Sequence, residues 1–598
     1  MISYLSKVWY LLKGVRKQLP WLIITFIFSS ILEVLGISLI APFLNLASNP
    51  SYIQKIPVLD WSYIKFGFQS PGQFVALLGL VIAIIYCFKS LLYFLSQFYI
   101  RDFCNIQRGQ LFTRLLKAYL TVRYTFHLQR NTSSFIKNIV LETHHFLHNC
   151  LLPLLSSISN LIVLTVLIWL LAQTNILLLI MLLGIILPIS LLFYQFRHKF
   201  KQWGQKSSEA NQEMIRLLNH GLGSIKETRI IGCESYFLAQ MKVQAQKYAR
   251  VDTLSHTAQM LPRILTETIL VLVVMFFISI SQLFLKQNFQ EITSTLAVFA
   301  IASIRLIPAA SQLIAGIGQL QTGTHAVEVL YSDLKEADKE VTTQPLLSLD
   351  NFVGSKSSRT STMSFNNLVD LKHLTYRYPN TSKLAIENIS LSLKKGESIA
   401  LIGKSGAGKT TLVDMILGLL IPESGDIQVD GVSIYDNIRS WQNLIGYIPQ
   451  SIFLTDDTIE RNIAFGVPDS LIDRERLQQA IASAQLTELV EQLPHGIKTE
   501  VGERGVRLSG GQRQRVGIAR ALYHQREILV LDEATAALDN ETERLVNESI
   551  QSLAGTRTLI IIAHRLSTVE HCNRIYLMEK GRMVKSGSYQ DVVDKQLT

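Results

Sequence analysis

The residues with the clearest chemistry lie in loops and at strand ends in the C-terminal half of the chain. Gly403-Lys404-Ser405-Gly406-Ala407-Gly408-Lys409-Thr410-Thr411 matches G-x-x-x-x-G-K-[ST]. The apolar run 398–402 before it reads as a strand and 410–420 after it as a helix, the context that the motif requires. In such a loop the glycines let backbone N–H groups converge on phosphate oxygens, the lysine reaches the β- and γ-phosphates and the following hydroxyl binds Mg²⁺. Lys409 and Thr410 take those two places. A second apolar run, 528–531, reads as a buried strand that delivers Asp532 and Glu533 to its carboxyl end, where nucleotides bind in open α/β sheets. Asp532 suits the second Mg²⁺-side carboxylate and Glu533 a general base on the attacking water. Two adjacent acids can also be a solvated strand end, but a phosphate loop in the same domain argues against that.

Three further positions gain meaning from this setting. His564 follows the apolar strand 558–563 and is a candidate γ-phosphate contact, although a lone histidine is more often structural. Gln450 closes the strand 445–449, where it could sense Mg²⁺ and water. Ser509-Gly510-Gly511 opens a predicted helix with small residues, a shape suited to an anion at a helix N-terminus. That cradle lies close in sequence to Asp532 and Glu533, yet the two need not serve the same nucleotide.

The elements that carry these residues occupy only part of the 598-residue chain, which is long enough for two or more domains. To about residue 323 the sequence carries long apolar runs, and the remainder has the composition of a soluble α/β domain. A spanning helix needs about 20 mostly apolar residues. Six stretches qualify: 21–46, 74–100, 151–171, 176–196, 264–285 and 292–320. Any one could be a buried globular helix, but six together make a polytopic membrane domain. Lys7, Lys13, Arg16 and Lys17 precede a run too long for a signal-peptide core, so it reads as a retained anchor. Residues 101–150 and 197–263 are basic, whereas the turns at 174–175 and 286–291 have no net charge, so both long loops and the N-terminus are expected in the cytoplasm. The same loops explain the net charge of +11 without nucleic acid, for which no groove-reading motif appears. The five cysteines are far apart, without metal-ligand spacing, and imply no disulfide framework.

Charged residues in or near the spans are costly and mark partners or cavities. Glu33, Lys89, Glu267 and Arg305 fall there, with Arg263 at an edge. Pairing between helices with snorkelling is one reading. The other is a cavity in which Lys89, Arg263 and Arg305 hold an anionic headgroup, and the excess of cations favours it. Pro42, Pro262 and Pro308 are expected to bend or start helices. The Ser-, Thr- and Gly-containing stretch around 341–364 reads as a flexible tether.

Taken in order, the phosphate loop Gly403–Thr411, Gln450, the run Leu508-Ser509-Gly510-Gly511-Gln512, the strand ending in Asp532-Glu533, and His564 resemble the nucleotide-binding domains of ABC transporters. The resemblance covers residues from about 366 to the C-terminus. It implies that Tyr378 stacks on adenine, that Asp539 is the D-loop aspartate, and that Leu508–Gln512 is the signature covering the partner's nucleotide. Ala536 departs from the small serine usual in that D-loop. Thr499–Gly505 resembles the segment that exporters place before the signature. The expected architecture is an all-α six-helix transmembrane domain (1–335), a linker (336–365) and an α/β P-loop ATPase domain (366–598), which looks like a type IV exporter half-transporter. The segments 33–42 and 305–308, and 232–237 in the second loop, resemble bacterial flippases for lipid-linked oligosaccharides.

The resemblance implies an ATPase using ATP and Mg²⁺, a second half-transporter, most economically an identical copy, and a bacterial inner or plasma membrane location with the nucleotide-binding domain in the cytoplasm. The expected cargo is a lipid-linked oligosaccharide, glycolipid or similar anionic lipid. A drug, lipid or peptide exporter is the alternative within the class, and the lack of a preceding cysteine-protease domain counts against peptides. An ATP-gated regulatory or channel-like membrane protein is the alternative from another class, opposed by the intact Glu533 and His564. A soluble DNA-repair ATPase fails on the six spans.

Overall fold

A computed structural model describes residues 2–13, 57–65, 70–174, 176–280, 289–343, 363–533, 540–563 and 568–592, with isolated positions between 20 and 68 and at 565. The chain divides into two compact units, Met1–Val122 with Arg130–Gln344, and Arg123–Gln129 with Pro345–Thr598.

The first unit is helical. Its elements are α1 (Pro71–Thr121), α2 (Leu152–Thr174), α3 (Ile176–Gln195), α4 (Arg197–Gly223), α5 (Glu234–Ile280), α6 (Phe289–Thr322) and α7 (Thr324–Thr343). The first five of these, leaving aside α4, and α6 between them occupy five of the six expected spans. The span expected at 21–46 lies mostly outside the described residues. Among the described residues, two helical stretches are long and apolar enough to cross a membrane, Pro71–Thr121 and Thr132–Val166. Ser70 starts α1 by accepting from the Gln73 N–H, and Pro71 follows where a missing N–H costs nothing. With 51 residues α1 is about 75 Å long, far more than the roughly 30 Å of a bilayer core, so it continues well beyond any membrane. Leu80, Ile84, Phe88, Leu91, Phe94 and Phe98 are exposed along it, an apolar surface that suits lipid or another helix. Pro262 and Pro308 lie inside α5 and α6, and α7 runs to Thr343, into the stretch expected as linker. All five cysteines are free.

The second unit is built on two sheets. A four-stranded antiparallel sheet has the order β2-β1-β4-β5, from β1 (Leu368–Arg377), β2 (Leu384–Lys394), β4 (Ser424–Val429) and β5 (Val432–Ser433). A six-stranded sheet has the order β10-β9-β3-β8-β7-β6. Its members are β3 (Ser398–Ile402), β6 (Ile445–Ile448), β7 (Ile528–Asp532), β8 (Thr558–Ile562), β9 (Arg574–Glu579) and β10 (Arg582–Gly587). All its pairings are parallel except that of β9 with β10. Every residue of β3, β7 and β8 is buried. Continuous apolar runs give this pattern when both faces of a parallel sheet are covered. Alternate side chains feed two cores: Leu401 and Val530 enter one with Trp441, Leu529 and Leu531 the other with Val516 and Ile518. Trp441 is fully buried, and its indole N–H donates to the Ile416 carbonyl at 2.6 Å. Two short helices matter for chemistry, α8 (Lys409–Ile416) after β3 and α9 (Gly510–Tyr523) before β7.

Candidate nucleotide site

The loop from β3 to α8 adopts a path that only glycine follows easily. Gly403, Gly406 and Gly408 have φ of 149°, 79° and 102°, and a Cβ on Gly403 or Gly408 would lie 2.3 Å from the Met578 carbonyl or 2.8 Å from that of Ala385. A Cβ on Gly406 would meet nothing within 4 Å, so the loop opens outward there. α8 starts at Lys409, directly after this loop, and the first N–H groups of a helix have no partner within it. Lys409 is buried and its ammonium donates to the Gly403 and Lys404 carbonyls at 2.8 and 3.3 Å. Burial lowers its pKa, and the charges of Glu533 and Asp532 oppose that shift.

Ser405 to Thr411 line a cavity of about 420 Å³ together with Tyr378 and Glu533. The Tyr378 hydroxyl lies 3.1 Å from Thr411 Oγ1, and its ring meets Tyr376 edge-on with centroids 5.2 Å apart. Six lining positions were not singled out from the sequence: Thr381, Lys383, Leu384, Ala385, Lys580 and Gly581. Lys580 and Gly581, with φ of 48° and 80°, form the tight turn between β9 and β10. A lysine–glycine pair between two strands is the only sequence signal for that turn. The turn reaches the phosphate loop because the Gly581 N–H donates to the Ala407 carbonyl at 2.9 Å.

At the end of β7 the backbone turns left-handed at Glu533, φ 48°, and its N–H donates to the Ile562 carbonyl at 3.0 Å. A non-glycine residue held there costs energy and is over-represented at functional sites. The turn ends the strand's alternation and lets Glu533 join the cavity lining next to buried Asp532. The Gln450 amide nitrogen donates to Glu533 Oε2 at 2.7 Å, which leaves its carbonyl oxygen for another partner. The Tyr447 hydroxyl donates to Asp532 Oδ2 at 3.3 Å. Asp414 sits one turn after Thr410 on α8; burial, and then the Asp532 charge, push its pKa up to about 6. The exposed Thr410 hydroxyl, the Asp532 carboxylate and the Gln450 carbonyl are hard oxygen donors of the kind that Mg²⁺ takes. His564 and Asp539 lie outside the described residues.

The signature run sits elsewhere. Ser509 caps α9: its hydroxyl accepts from the Gln512 N–H at 3.2 Å, and its own N–H donates to the Gln512 side chain at 2.8 Å. Leu508 and Gly511 are buried, whereas Ser509 and Gly510 are exposed and a Cβ on Gly510 would meet nothing within 4 Å. None of Leu508–Gln512 lines the cavity that holds the phosphate loop. Ahead of it, Thr499–Gly505 is tied to the segment before it by bonds from Ile459 N–H to Thr499 and from Val501 N–H to Asp457.

In the helical unit, Lys89 is buried with its ammonium 4.7 Å from the Tyr86 ring centre. Arg263 is exposed and its Nε lies 2.8 Å from Glu267 Oε1, one turn along α5. The side chain of Arg305, and Glu33, fall outside the described residues.

Known proteins match this arrangement. The family model described as ABC transporter matches residues 386–536. The ATP-dependent lipid A-core flippase of Cupriavidus pinatubonensis is 31% identical over 495 residues, 81% of this chain and 79% of that protein. The protein of the same name from Burkholderia pseudomallei is 29% identical over 577 residues, 93% of this chain and 91% of its own. The solved structure of a bacterial Atm1-family ABC exporter with ATP bound superposes with a TM-score of 0.74 at 23% identity, covering 98% of this chain and 97% of that one, which establishes the shared fold. The chain belongs to the ABC transporter family, as a type IV exporter half-transporter that couples ATP hydrolysis to movement of a substrate across a membrane.

Proposed function

We propose that two copies of this chain form an ATP-driven flippase for an anionic glycolipid or lipid-linked oligosaccharide. The observation that carries the assembly is the separation within one chain: Ser509 and Gly510 are exposed at the start of α9, outside the cavity lined by Lys409 and Glu533. A signature that cannot serve its own phosphate loop suits the loop of a second copy. The presence of Lys409, Ser509, Glu533 and His564 in every copy makes both sites of such a homodimer competent.

ATP fits the described residues through the open loop at Gly406, the helix start of α8 and the aromatic face of Tyr378. Mg²⁺ would be held by Thr410, Gln450 and Asp532, and when bound it supplies charge neutralisation at the phosphates. Lys409 binds the β- and γ-phosphates, and Glu533, held by the Gln450 amide, takes the proton of the attacking water. His564 contacts the γ-phosphate, and Asp539 lies at the junction with the partner. Binding of ATP draws the two copies together, and it can shift access of the cavity only through unequal affinity for the two states.

The cargo reading draws on the relatives named lipid A-core flippases and on Lys89, Arg263 and Arg305 as a cationic set for a diphosphate or phosphate headgroup. The host is a bacterial inner membrane, with the nucleotide-binding domain and N-terminus in the cytoplasm. Proteoliposomes offered polyprenyl-diphosphate saccharides, glycolipids and simple phospholipids test the reading. Wild type is expected to move the anionic glycosylated lipids in an ATP-dependent way. Translocation left unchanged by Lys89→Ala, Arg263→Ala and Arg305→Ala together would sink the cationic-headgroup part.

A further inference from the structure

A cavity in the helical unit belongs to neither the nucleotide site nor the cationic set. It measures about 550 Å³, within the roughly 300–1,000 Å³ usual for small-molecule sites. Its walls come from the segment 141–149, from α4, from α5 and from the junction of α6 with α7. Two glycines fix its shape. A Cβ on Gly204 would lie 2.2 Å from the Thr322 carbonyl, and one on Gly323 would lie 2.8 Å from that of Asn149. The helices therefore approach backbone to backbone beside the cavity.

The segment on one wall is wound unusually. Asn138–Glu142 and Leu147–Leu151 are π-helical, on either side of the α-helical turn Thr143–Phe146. Such widened turns are rare and frequent at functional sites. Here the winding accompanies six cavity-lining residues within nine positions: Leu141, Glu142, His144, His145, His148 and Asn149. His256 and His325 add imidazoles from other walls. At neutral pH an ordinary imidazole is largely uncharged and offers one donor and one acceptor. Burial lowers the pKa of His325 further. The Asn149 amide nitrogen lies 3.3 Å from His145 Nδ1.

The chemistry of the lining excludes several ligand classes. An anion is disfavoured because Glu142 and Asp252 face the space, while Lys137 is already engaged, 3.5 Å from Glu142 and 3.2 Å from both Ser208 and Gln212. A metal ion is disfavoured because, among the described residues, no three of His, Cys, Asp and Glu converge as ligands. An apolar drug would waste the polar groups of Asn211, Ser255 and Gln259. What remains is a ligand rich in hydroxyls with some apolar faces. Carboxylates and amides accept from and donate to hydroxyl groups, and Trp203 and Tyr248 supply flat surfaces with polar tips.

We propose that this cavity binds the uncharged glycan of the cargo, separately from the headgroup phosphate. The inference rests on the glycolipid reading above and adds the feature by which the transporter distinguishes a long glycan from a short one. The test uses the full-length protein in proteoliposomes with two probes: polyprenyl diphosphate carrying a neutral tetrasaccharide, and the same lipid carrying a single hexose. Loss of one stacking or hydrogen-bonding partner by Trp203→Ala or Gln259→Ala is expected to raise the half-saturating concentration of the tetrasaccharide lipid about fivefold. The single-hexose lipid should change less than about twofold. Basal ATP turnover should stay as in wild type, which reports that both variants fold. Gln259, whose amide bonds only to Ser255 at 3.2 Å among the described contacts, serves as the milder replacement should Trp203→Ala fail to fold. Equal losses for both lipids, or none, would overturn the inference while leaving the flippase reading intact. If wild type moves neither lipid but the free tetrasaccharide still quenches Trp203 fluorescence, the glycan site stands and the flippase reading falls. Absence of both transport and quenching overturns the two together.

Discussion

Glu533 shows how one residue's backbone can prepare its side chain. Its φ of 48° is a conformation that a glutamate does not choose freely, and two anchors hold it there: the Ile562 carbonyl on its N–H and the Gln450 amide on its carboxylate. The anchors leave the carboxylate beside the phosphate loop as a hydrogen-bond acceptor, the state a general base needs. Glu533→Gln keeps the size of the side chain and removes its basicity. Steady-state ATP turnover is expected to fall by about 10²–10⁴-fold, with nucleotide affinity close to that of wild type. Single-turnover hydrolysis and equilibrium binding of a fluorescent ATP analogue separate the two quantities; a variant that binds poorly would point to a structural role instead. The type of residue at 533 was legible from its place after an apolar strand. Its left-handed backbone was not, because nothing in the run ILVLDE demands it locally. The demand comes from β8, which is distant in sequence.

The strands of the six-stranded sheet were legible for a simple reason: SIALI, ILVLD and TLIII are short unbroken apolar runs, as strands buried on both faces require. The antiparallel sheet was harder to see. His373 and Asn388 have φ near 50°, and the pairing of β1 with β2 shifts register at Leu371 to Leu374, so the alternation of buried and exposed residues is interrupted. The π-helical turns at 138–151 left no sequence signal at all, since they differ from an α-helix by one residue per turn in spacing. One element of the antiparallel sheet carries its own test. Asp430-Gly431, with φ of 48° and 87°, makes the tight turn between β4 and β5. The Asp430 carboxylate also accepts from the N–H groups of Asn366, Asn367 and Leu368 at 2.7, 3.0 and 2.8 Å. Burial works against its ionisation, but those three donors outweigh it and hold the pKa below the usual carboxylate range. A carboxylate with a lowered folded pKa stabilises the fold above its unfolded pKa of about 3.9, and the contribution disappears as pH falls through the folded value. Asp430→Asn is therefore expected to lower Tm by a few degrees at pH 7 and to converge with wild type on acidification below about pH 4. Thermal melts in detergent across that range check it; a constant offset at all pH values would mean that the charge is not involved.

At the scale of the whole molecule, the proposed homodimer makes the catalytic unit larger than the chain, because Ser509 lies outside the cavity lined by Lys409. If two copies exchange signatures, each site takes its phosphate loop and Glu533 from one chain and its Ser509 from the other. Ser509→Arg alone should leave ATP binding largely intact and abolish hydrolysis, and Glu533→Gln alone should abolish hydrolysis too. The two variants become informative when co-expressed. In a mixed dimer, one site combines Glu533→Gln with Ser509→Arg and is doubly disabled. The other site receives the intact Glu533 of the Ser509→Arg chain and the intact Ser509 of the Glu533→Gln chain. Random pairing at equal expression makes half of the dimers mixed, each with one competent site, so turnover is expected to recover to at most about a quarter of wild type if the sites act independently. A site completed within one chain predicts no recovery at any mixing ratio, because every chain then carries its own defect. Purification through two different tags, one per variant, isolates the mixed species and should double the specific activity relative to the unsorted mixture. Activity that stays at the level of the single variants after that purification would refute the shared site and the homodimer built on it.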